Sequence, residues 1–334
     1  MSGLTIYDIA KEAGVSIATV SRVLNQPDRV SEQSRLRVQQ VIDAYGYVPN
    51  AMARGLSNRR SGIVGILCPI ISDVNHAQIV SALEKNLIRM GYNSLISCTN
   101  HVGHRRDEYL RILAAKQVDG VIVVGSDAKA HTAPSAFAEI AQSVPIVVVN
   151  GLVEAPGVYS VFADEYGAMR DITAELLQNG FSNLLYLNDT DTFSGMQKLQ
   201  GFLDAHDVSG PSKPYTHVRI QPAEDALRAA YTAVDKAIID GTNFSAILSA
   251  DDVLAIGALK ALEKHQMQMP VIGYNNTRFA QCCTPELSSI DSHFNRLCEK
   301  ACSLLADALA GKTPPVTTKL PASIVRRKSY SPSI

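Results

Sequence analysis

Chemistry in this 334-residue chain has to come from side chains other than those of common hydrolases and nucleotide enzymes. No G-x-S-x-G, P-loop, H-E-x-x-H or strand-linked G-x-G-x-x-G is present, so catalysis is not expected. Six cysteines (Cys68, Cys98, Cys282, Cys283, Cys298, Cys302) fall at irregular spacings without a C-x-x-C pair, as reduced core thiols do, and no metal site is expected. What the spacing does offer is a hydroxyl directly ahead of each of three periodic apolar runs. Thr5, Ser16 and Ser31 stand where a side-chain oxygen can accept a free helix N–H. Between the first two runs lies only Gly14-Val15-Ser16, and a tight Gly-containing turn joining two short helices is built to place the second helix in a DNA major groove.

The elements that must position these groups follow from periodicity. Residues 6–13, 17–24 and 32–45 carry apolar residues three or four apart, which predicts a small three-helix bundle. After Gly46-Tyr47-Val48-Pro49 comes NAMARGLSNRRSG, polar, basic and only marginally helical, which reads as a linker. From residue 63 the pattern changes. Short continuous apolar runs at 63–67, 120–124, 146–149, 184–187, 246–248 and 271–272 alternate with amphipathic helical stretches. Alternation of this kind predicts parallel sheets covered on both faces, arranged as two doubly wound halves with a ligand cleft at the strands' carboxyl ends.

Bulk properties agree with more than one domain, because 334 residues exceed what a single core usually holds. The formal charge of −1 hides an asymmetry: residues 1–60 hold eight Lys/Arg against five Asp/Glu, about +3, leaving about −4 for the rest. The first residues contain acids and no apolar signal segment, and no stretch reaches the roughly 18 apolar residues of a membrane span, so a cytoplasmic protein is expected.

The run TIYDIAKEAGVSIATVSRVLNQPDRVSEQSRLRVQQVIDAYGYVPNAMARGLSNRRSGIVGIL resembles the head and hinge of the lactose/galactose-repressor family of bacterial transcription regulators almost position for position. Similarity continues through LQGF at 199–202, SADDVLAIGALKAL at 249–262 and VIGYNNTRFA at 271–280, so it spans essentially the whole chain. The resemblance implies an α/β protein with a helix-turn-helix head (1–47), a hinge with a hinge helix (48–62) and a periplasmic-binding-protein-like body of two subdomains (63–334). It also implies a homodimer on near-palindromic operator DNA. Ile17, Ala18 and Arg22 fall where such regulators present side chains to base edges, and Arg22 could bond guanine in a bidentate manner. Thr5, Tyr7, Ser16, Thr19, Ser21, Asn25 and Tyr47 carry hydroxyl or amide groups suited to phosphate oxygens, although Ser, Thr and Asn here could equally serve as helix caps. In the hinge, Asn50, Ala53 and Leu56 are placed on DNA. Leu56 matches a leucine that wedges into the minor groove, with packing on the body as its alternative.

For the body the resemblance implies a small-molecule effector, and no cofactor, between the subdomains. Candidate contacts are Asp73 and His76 after the first body strand, Ser126 and Asn150 after the next two apolar runs, Tyr166, Lys198, Asp251, Asn275 and Asp291. Several of these have capping or loop roles as alternatives, and Asp252 needs only a helix dipole to explain it. Lys198 and Asn275 stand where the family usually has arginine and aspartate, which weakens the clamp on a neutral monosaccharide and would suit a sugar acid or sugar phosphate. Asp251 opposes an anion. The helix near 76–89 could form a dimer seam or merely cover the sheet. The chain stops near Ile334 without leucine heptads, which favours a dimer over a tetramer. GYNNTRFAQCCTPELSSI is similar to the catabolite-control regulators of Gram-positive bacteria, so a phosphorylated protein corepressor stands as the alternative to a sugar effector.

Overall fold

Glycine at position 14 is what turns the first helix into the second. The computed structural model describes residues 5–46, 60–100, 103–126, 135–209, 214–221 and 225–331. Helix α1 (Ile6–Glu12) ends with Gly14 at φ +62°, while the Val15 N–H reaches the Ala10 carbonyl at 3.0 Å and the Gly14 N–H reaches that of Lys11 at 3.3 Å. This Schellman closure needs left-handed backbone that glycine adopts without steric cost. Helix α2 (Ile17–Asn25) and α3 (Glu32–Tyr45) complete the bundle. Ile9, Ala10, Ala13, Val20, Val23, Val38 and Ile42 form its core. The first two helices thus end one residue away from the bounds that periodicity predicts, and the third coincides with them.

The chain divides into two compact units, Met1–Ile63 and Val64–Ile334. The second unit contains two six-stranded sheets. In the first, β1 (Ile63–Cys68), β2 (Asn93–Cys98), β3 (Gly120–Val124), β4 (Ile146–Val149), β5 (Val158–Ala163) and β11 (Thr317–Leu320) lie in the order β11-β5-β4-β3-β1-β2. In the second, β6 (Leu184–Asn188), β7 (Tyr215–Arg219), β8 (Ala246–Ser249), β9 (Val271–Tyr274), β10 (Ser288–Asp291) and β12 (Ser323–Val325) lie in the order β12-β10-β9-β8-β6-β7. Strand β12 runs antiparallel to β10, whereas β6, β7, β8, β9 and β10 pair in parallel. The chain passes between the halves at 164, at 292–293 and at 321–322.

Side-chain alternation explains why the strands read as unbroken apolar runs. On one face of the second sheet Leu185, Leu187, Ile247 and Val271 pack under α9 (Ala226–Ile239) and α10 (Asp252–Lys264). On the other, Leu184, Tyr186, Leu248, Ile272 and Tyr274 pack under α7 (Glu165–Gln178) and α8 (Phe193–Ser209). With helices on both faces, neither parity can be polar. In the first half Val64, Ile66, Cys68, Ile122, Val124, Val147 and Val149 meet α4 (Val74–Arg89) and α12 (Phe294–Leu309). Helix α5 (Gly103–Ala115) and the short α6 (Ser135–Ile140) and α11 (Arg278–Cys282) are the other helices of the body among the described residues.

Candidate nucleic-acid interface and ligand cleft

Helix α2 separates its residues by angle. Val20 and Val23 are buried against the bundle, whereas Ile17 (42% exposed), Ala18 and Arg22 project outward and Ser21 is half-buried. At 100° per residue positions 17, 18, 21 and 22 share one face, so the apolar Ile17 is exposed on the same surface as Arg22. Ser16 caps this helix: its Oγ accepts from the Thr19 N–H at 3.1 Å and lies 2.9 Å from Thr19 Oγ1. Thr5 caps α1, with its N–H and hydroxyl donating to Asp8 Oδ2 at 2.8 and 2.6 Å, and these bonds hold the Asp8 carboxyl below its ordinary pKa. Tyr7 is 67% exposed. Capping, the alternative weighed for Ser16 and Thr5, is therefore real in both, and both residues remain exposed. Tyr47, Asn50, Ala53 and Leu56 lie outside the described residues, as does the side chain of Asn25.

In the body, polar residues gather where the strands end. Asp73 caps α4, accepting from the His76 N–H at 2.8 Å, and His76 Nδ1 lies 3.3 Å away. Ser126 accepts from the Leu152 N–H at its Oγ (2.9 Å) and from the Phe193 N–H of the other half at its carbonyl (3.0 Å). Asn150 holds left-handed backbone (φ +57°), and its side chain is one of the groups favouring the charged form of Glu165. Asp251 caps α10 through the Val253 N–H (2.6 Å), and its other oxygen accepts from Asn275 Nδ2 at 2.8 Å. Asp291 accepts from Asn276 Nδ2 (3.0 Å) and from the His293 N–H (2.6 Å).

Three residues have partners that their types and positions do not announce. Lys198 is only 5% exposed: its ammonium donates to the Ala250 carbonyl at 3.1 Å, lies 3.7 Å from Glu165 Oε1 and sits 3.9 Å from the centre of the Tyr274 ring. Inside the protein its charge is met by Glu165 and the Ala250 carbonyl. Tyr166 turns toward α8, donating to Asp204 at 2.8 Å with the Arg170 guanidinium 5.7 Å from its ring centre, and it does not join the Lys198 cluster. Glu165, one residue earlier and buried, is the member of that pair which does, accepting from Ser194 at 2.7 Å. Nor is Asp252 only a dipole partner. It is fully buried and accepts from Ser289 (2.6 Å), the Thr277 N–H (2.6 Å) and the Thr277 hydroxyl (2.9 Å), fastening the ends of β9 and β10 to α10.

Sequence reasoning passed over Glu165, Ser194, Tyr274, Asn276 and Asp189. For Asp189, directly after β6, its place at a strand's carboxyl end was a usable signal. Electrostatically the cleft is acidic. Burial pushes the Asp251 carboxyl up to about 7, reinforced by the charges of Asp252, Asp73 and Asp189. Burial raises the Asp189 carboxyl as well. Burial drives Glu165 upward, against the opposing pull of Lys198 and the hydrogen bond from Ser194. Among the described residues no group of three or more His, Cys, Asp or Glu is placed to hold a metal, and no helix is long and apolar enough to cross a membrane.

A helix-turn-helix unit ahead of a two-half α/β body with polar strand ends defines a DNA-binding regulator with a ligand-binding body. Residues 5–50 match the family described as bacterial regulatory proteins, lacI family, and residues 61–289 match periplasmic binding proteins and sugar binding domain of LacI family. The chain belongs to the LacI family: it is a DNA-binding transcription regulator, not an enzyme. It is 36% identical over 335 residues to an HTH-type transcriptional regulator of Lachnoclostridium phytofermentans, covering 98% of this chain and 99% of that protein. It is 32% identical to catabolite control protein A of Staphylococcus xylosus over 86% of this chain and 87% of that one. Its fold superposes on the lac repressor dimer bound to operator and the anti-inducer ONPF with a TM-score of 0.86 at 23% identity, covering 98% and 99% of the two chains. The corresponding TM-score for a complex of the regulator CelR with cellobiose is 0.68 at 23% identity, over 98% and 100%.

Proposed function

We propose that this protein is a homodimeric repressor of carbohydrate-utilisation genes whose operator affinity is set by a sugar without negative charge, bound between the two halves of the body. The observation that carries this reading is the pairing of Asp251 with Asn275 at 2.8 Å, and the charges of Asp73 and Asp189 add to the rise of the Asp251 pKa. Carboxyl and amide oxygens accept hydrogen bonds from sugar hydroxyls, and a group of carboxyls whose mutual charges raise the Asp251 pKa offers no counter-charge to a phosphate or carboxylate. The only basic residue predicted to meet an anion, Lys198, has its charge beside Glu165. Sugar acids and sugar phosphates are therefore disfavoured. The carboxylate that the family usually carries after the Gly-aromatic pair is an amide here, Asn275, and its partner Asp251 supplies the carboxylate instead.

On the DNA side Ile17, Ala18 and Arg22 read bases, Thr5, Tyr7, Ser16, Thr19 and Ser21 hold phosphates, and the segment around Leu56 enters the minor groove. A second reading is supported by the 32% identity to catabolite control protein A: a phosphorylated protein acting as corepressor on the body. A thermal-shift screen of neutral sugars, sugar acids and sugar phosphates separates the two, since a ligand of the native state raises stability by RT ln(1 + [L]/Kd). The sugar reading expects a neutral sugar to raise the melting temperature at millimolar concentration. A shift confined to sugar phosphates, or none with any compound, removes it.

A further inference from the structure

Cys68 closes β1 and Cys98 closes β2, and these strands are neighbours in the first sheet. The Thr99 N–H donates to the Cys68 carbonyl at 3.0 Å and the Asn100 N–H to the Pro69 carbonyl at 2.8 Å. Both residue numbers rise together, as in a parallel pair, and the first bond sets Cys98 alongside Cys68. Residues level with one another on adjacent strands lie about 4.8 Å apart and project from the same face. That separation is inside the roughly 4.4–6.8 Å between Cα atoms that a disulfide spans. The face is the one under α4, where Cys68 packs with Ile79 and Leu83 at 1% exposure. Both thiols are free, Cys68 buried and Cys98 partly exposed.

We propose that Cys68 and Cys98 form a hydroperoxide-sensitive pair that closes into an intrachain disulfide across the β1–β2 edge of the ligand-binding body. Cys98 is the accessible member and reacts first. Its thiolate sulfur takes the terminal peroxide oxygen with its hydrogen, the O–O bond breaks, the leaving oxygen takes up the proton that Cys98 released on ionising and departs as water or an alcohol, and Cys98 becomes a sulfenic acid. The Cys68 sulfur then attacks the Cys98 sulfur; the S–S bond forms, the S–O bond breaks, and water departs with the Cys68 proton. Two thiols lose two electrons in total and the peroxide gains them. Burial and the neighbouring Cys98 push the Cys68 thiol up to about 12, so it stays un-ionised and does not compete with Cys98 for peroxide, and it must give up its proton as it attacks the sulfenic acid set beside it. The clamp would sit at the root of the four-residue segment between Cys68 and Asp73, whose carboxylate caps α4 and whose charge adds to the rise of the Asp251 pKa.

Cys282 is exposed and Cys283 partly so, and both would compete for oxidant. The test therefore uses the full chain carrying Cys282→Ser and Cys283→Ser, treated with hydrogen peroxide, unfolded, alkylated and digested. The expected result is a pair of peptides containing Cys68 and Cys98 joined by a bond that dithiothreitol reverses, with two thiols lost to alkylation. Adding Cys98→Ser should leave Cys68 fully alkylatable after the same treatment. The oxidised chain should also melt at a higher temperature than the reduced one, because the bridge closes a loop in the unfolded state. Oxidation of Cys98 to sulfinic acid with Cys68 still free, linkage of Cys68 to another cysteine, or no reaction at either thiol would overturn the proposal.

Discussion

Lys198 and Glu165 form an ion pair of 3.7 Å at side-chain exposures of 6% and 0%, set between α7 and α8 under the Tyr274 ring. A buried pair of this kind is costly to halve, because removing one partner leaves the other charge without compensation. Glu165→Gln should therefore destabilise the body by about 3–5 kcal/mol, while the double change Glu165→Gln with Lys198→Met should recover part of that loss. Urea melts of the three proteins check this. Equal stability of the single variant and the parent would show that the pair carries no net constraint.

Arg22 is exposed on the outward face of α2, while Val20 and Val23 hold the opposite face in the bundle. Arg22→Ala should weaken binding to the preferred duplex by about 1–3 kcal/mol and relax preference at one base step, with little loss on random DNA. Titration against a selected duplex and a scrambled one decides the matter. Equal losses on both would make Arg22 a phosphate contact.

Asp251 has its carboxyl raised to about 7, chiefly by burial and then by Asp252 and Asp73. A carboxyl whose folded pKa exceeds its unfolded value contributes stability that is present below the unfolded pKa and is lost as pH rises through the folded one. The protein should thus lose stability from this group between about pH 4 and pH 7. Asp251→Asn removes the charge but also one acceptor, since both carboxylate oxygens take hydrogen bonds, so its stability relative to the parent should improve as pH rises from about 4 to about 8. A constant gap across that range would assign the effect to packing.

Gly273, in β9, lies against Asp252: a Cβ there would overlap Asp252 Oδ1 and stand 2.9 Å from Leu287 Cδ2. Gly273→Ala should cost about 1–3 kcal/mol by displacing the carboxylate that ties Ser289 and Thr277 to α10. Gly180→Ala, at a position with open space around it, is a poor control because its φ of +88° is itself strained. Differential scanning calorimetry of Gly273→Ala beside Thr277→Val, which removes only one hydroxyl of the same network, separates the clash from the lost bond. A smaller loss for Gly273→Ala than for Thr277→Val would contradict this account.

Much of the architecture was legible because buried parallel strands announce themselves as continuous apolar runs. β3 and β4 appear over the residues that composition marks, 120–124 and 146–149. Strands that escaped notice are mostly at sheet edges: β2, β7 and β11 have partly exposed sequences, NSLISC, YTHVR and TTKL, in which polar residues interrupt the apolar ones, so no run forms. In the cleft, the sequence points to Asp251 and Asn275 as separate contacts, but their mutual bond depends on α10 and β9 meeting across 24 residues of chain, which no local pattern encodes. The same limit applies to Lys198. Its residue type suggests a charge available to ligand, whereas its role is fixed by Glu165, which enters from another helix after the chain crosses between the halves.

The most direct test of the central claim is a titration of fluorescent duplex, chosen by the protein itself from a random pool, in the presence and absence of individual neutral sugars and their phosphates. The account predicts that at least one neutral sugar changes the apparent Kd tenfold or more, that its phosphate does not, and that Asp251→Asn blunts the response. DNA affinity that ignores every neutral sugar but responds to a sugar phosphate would contradict it.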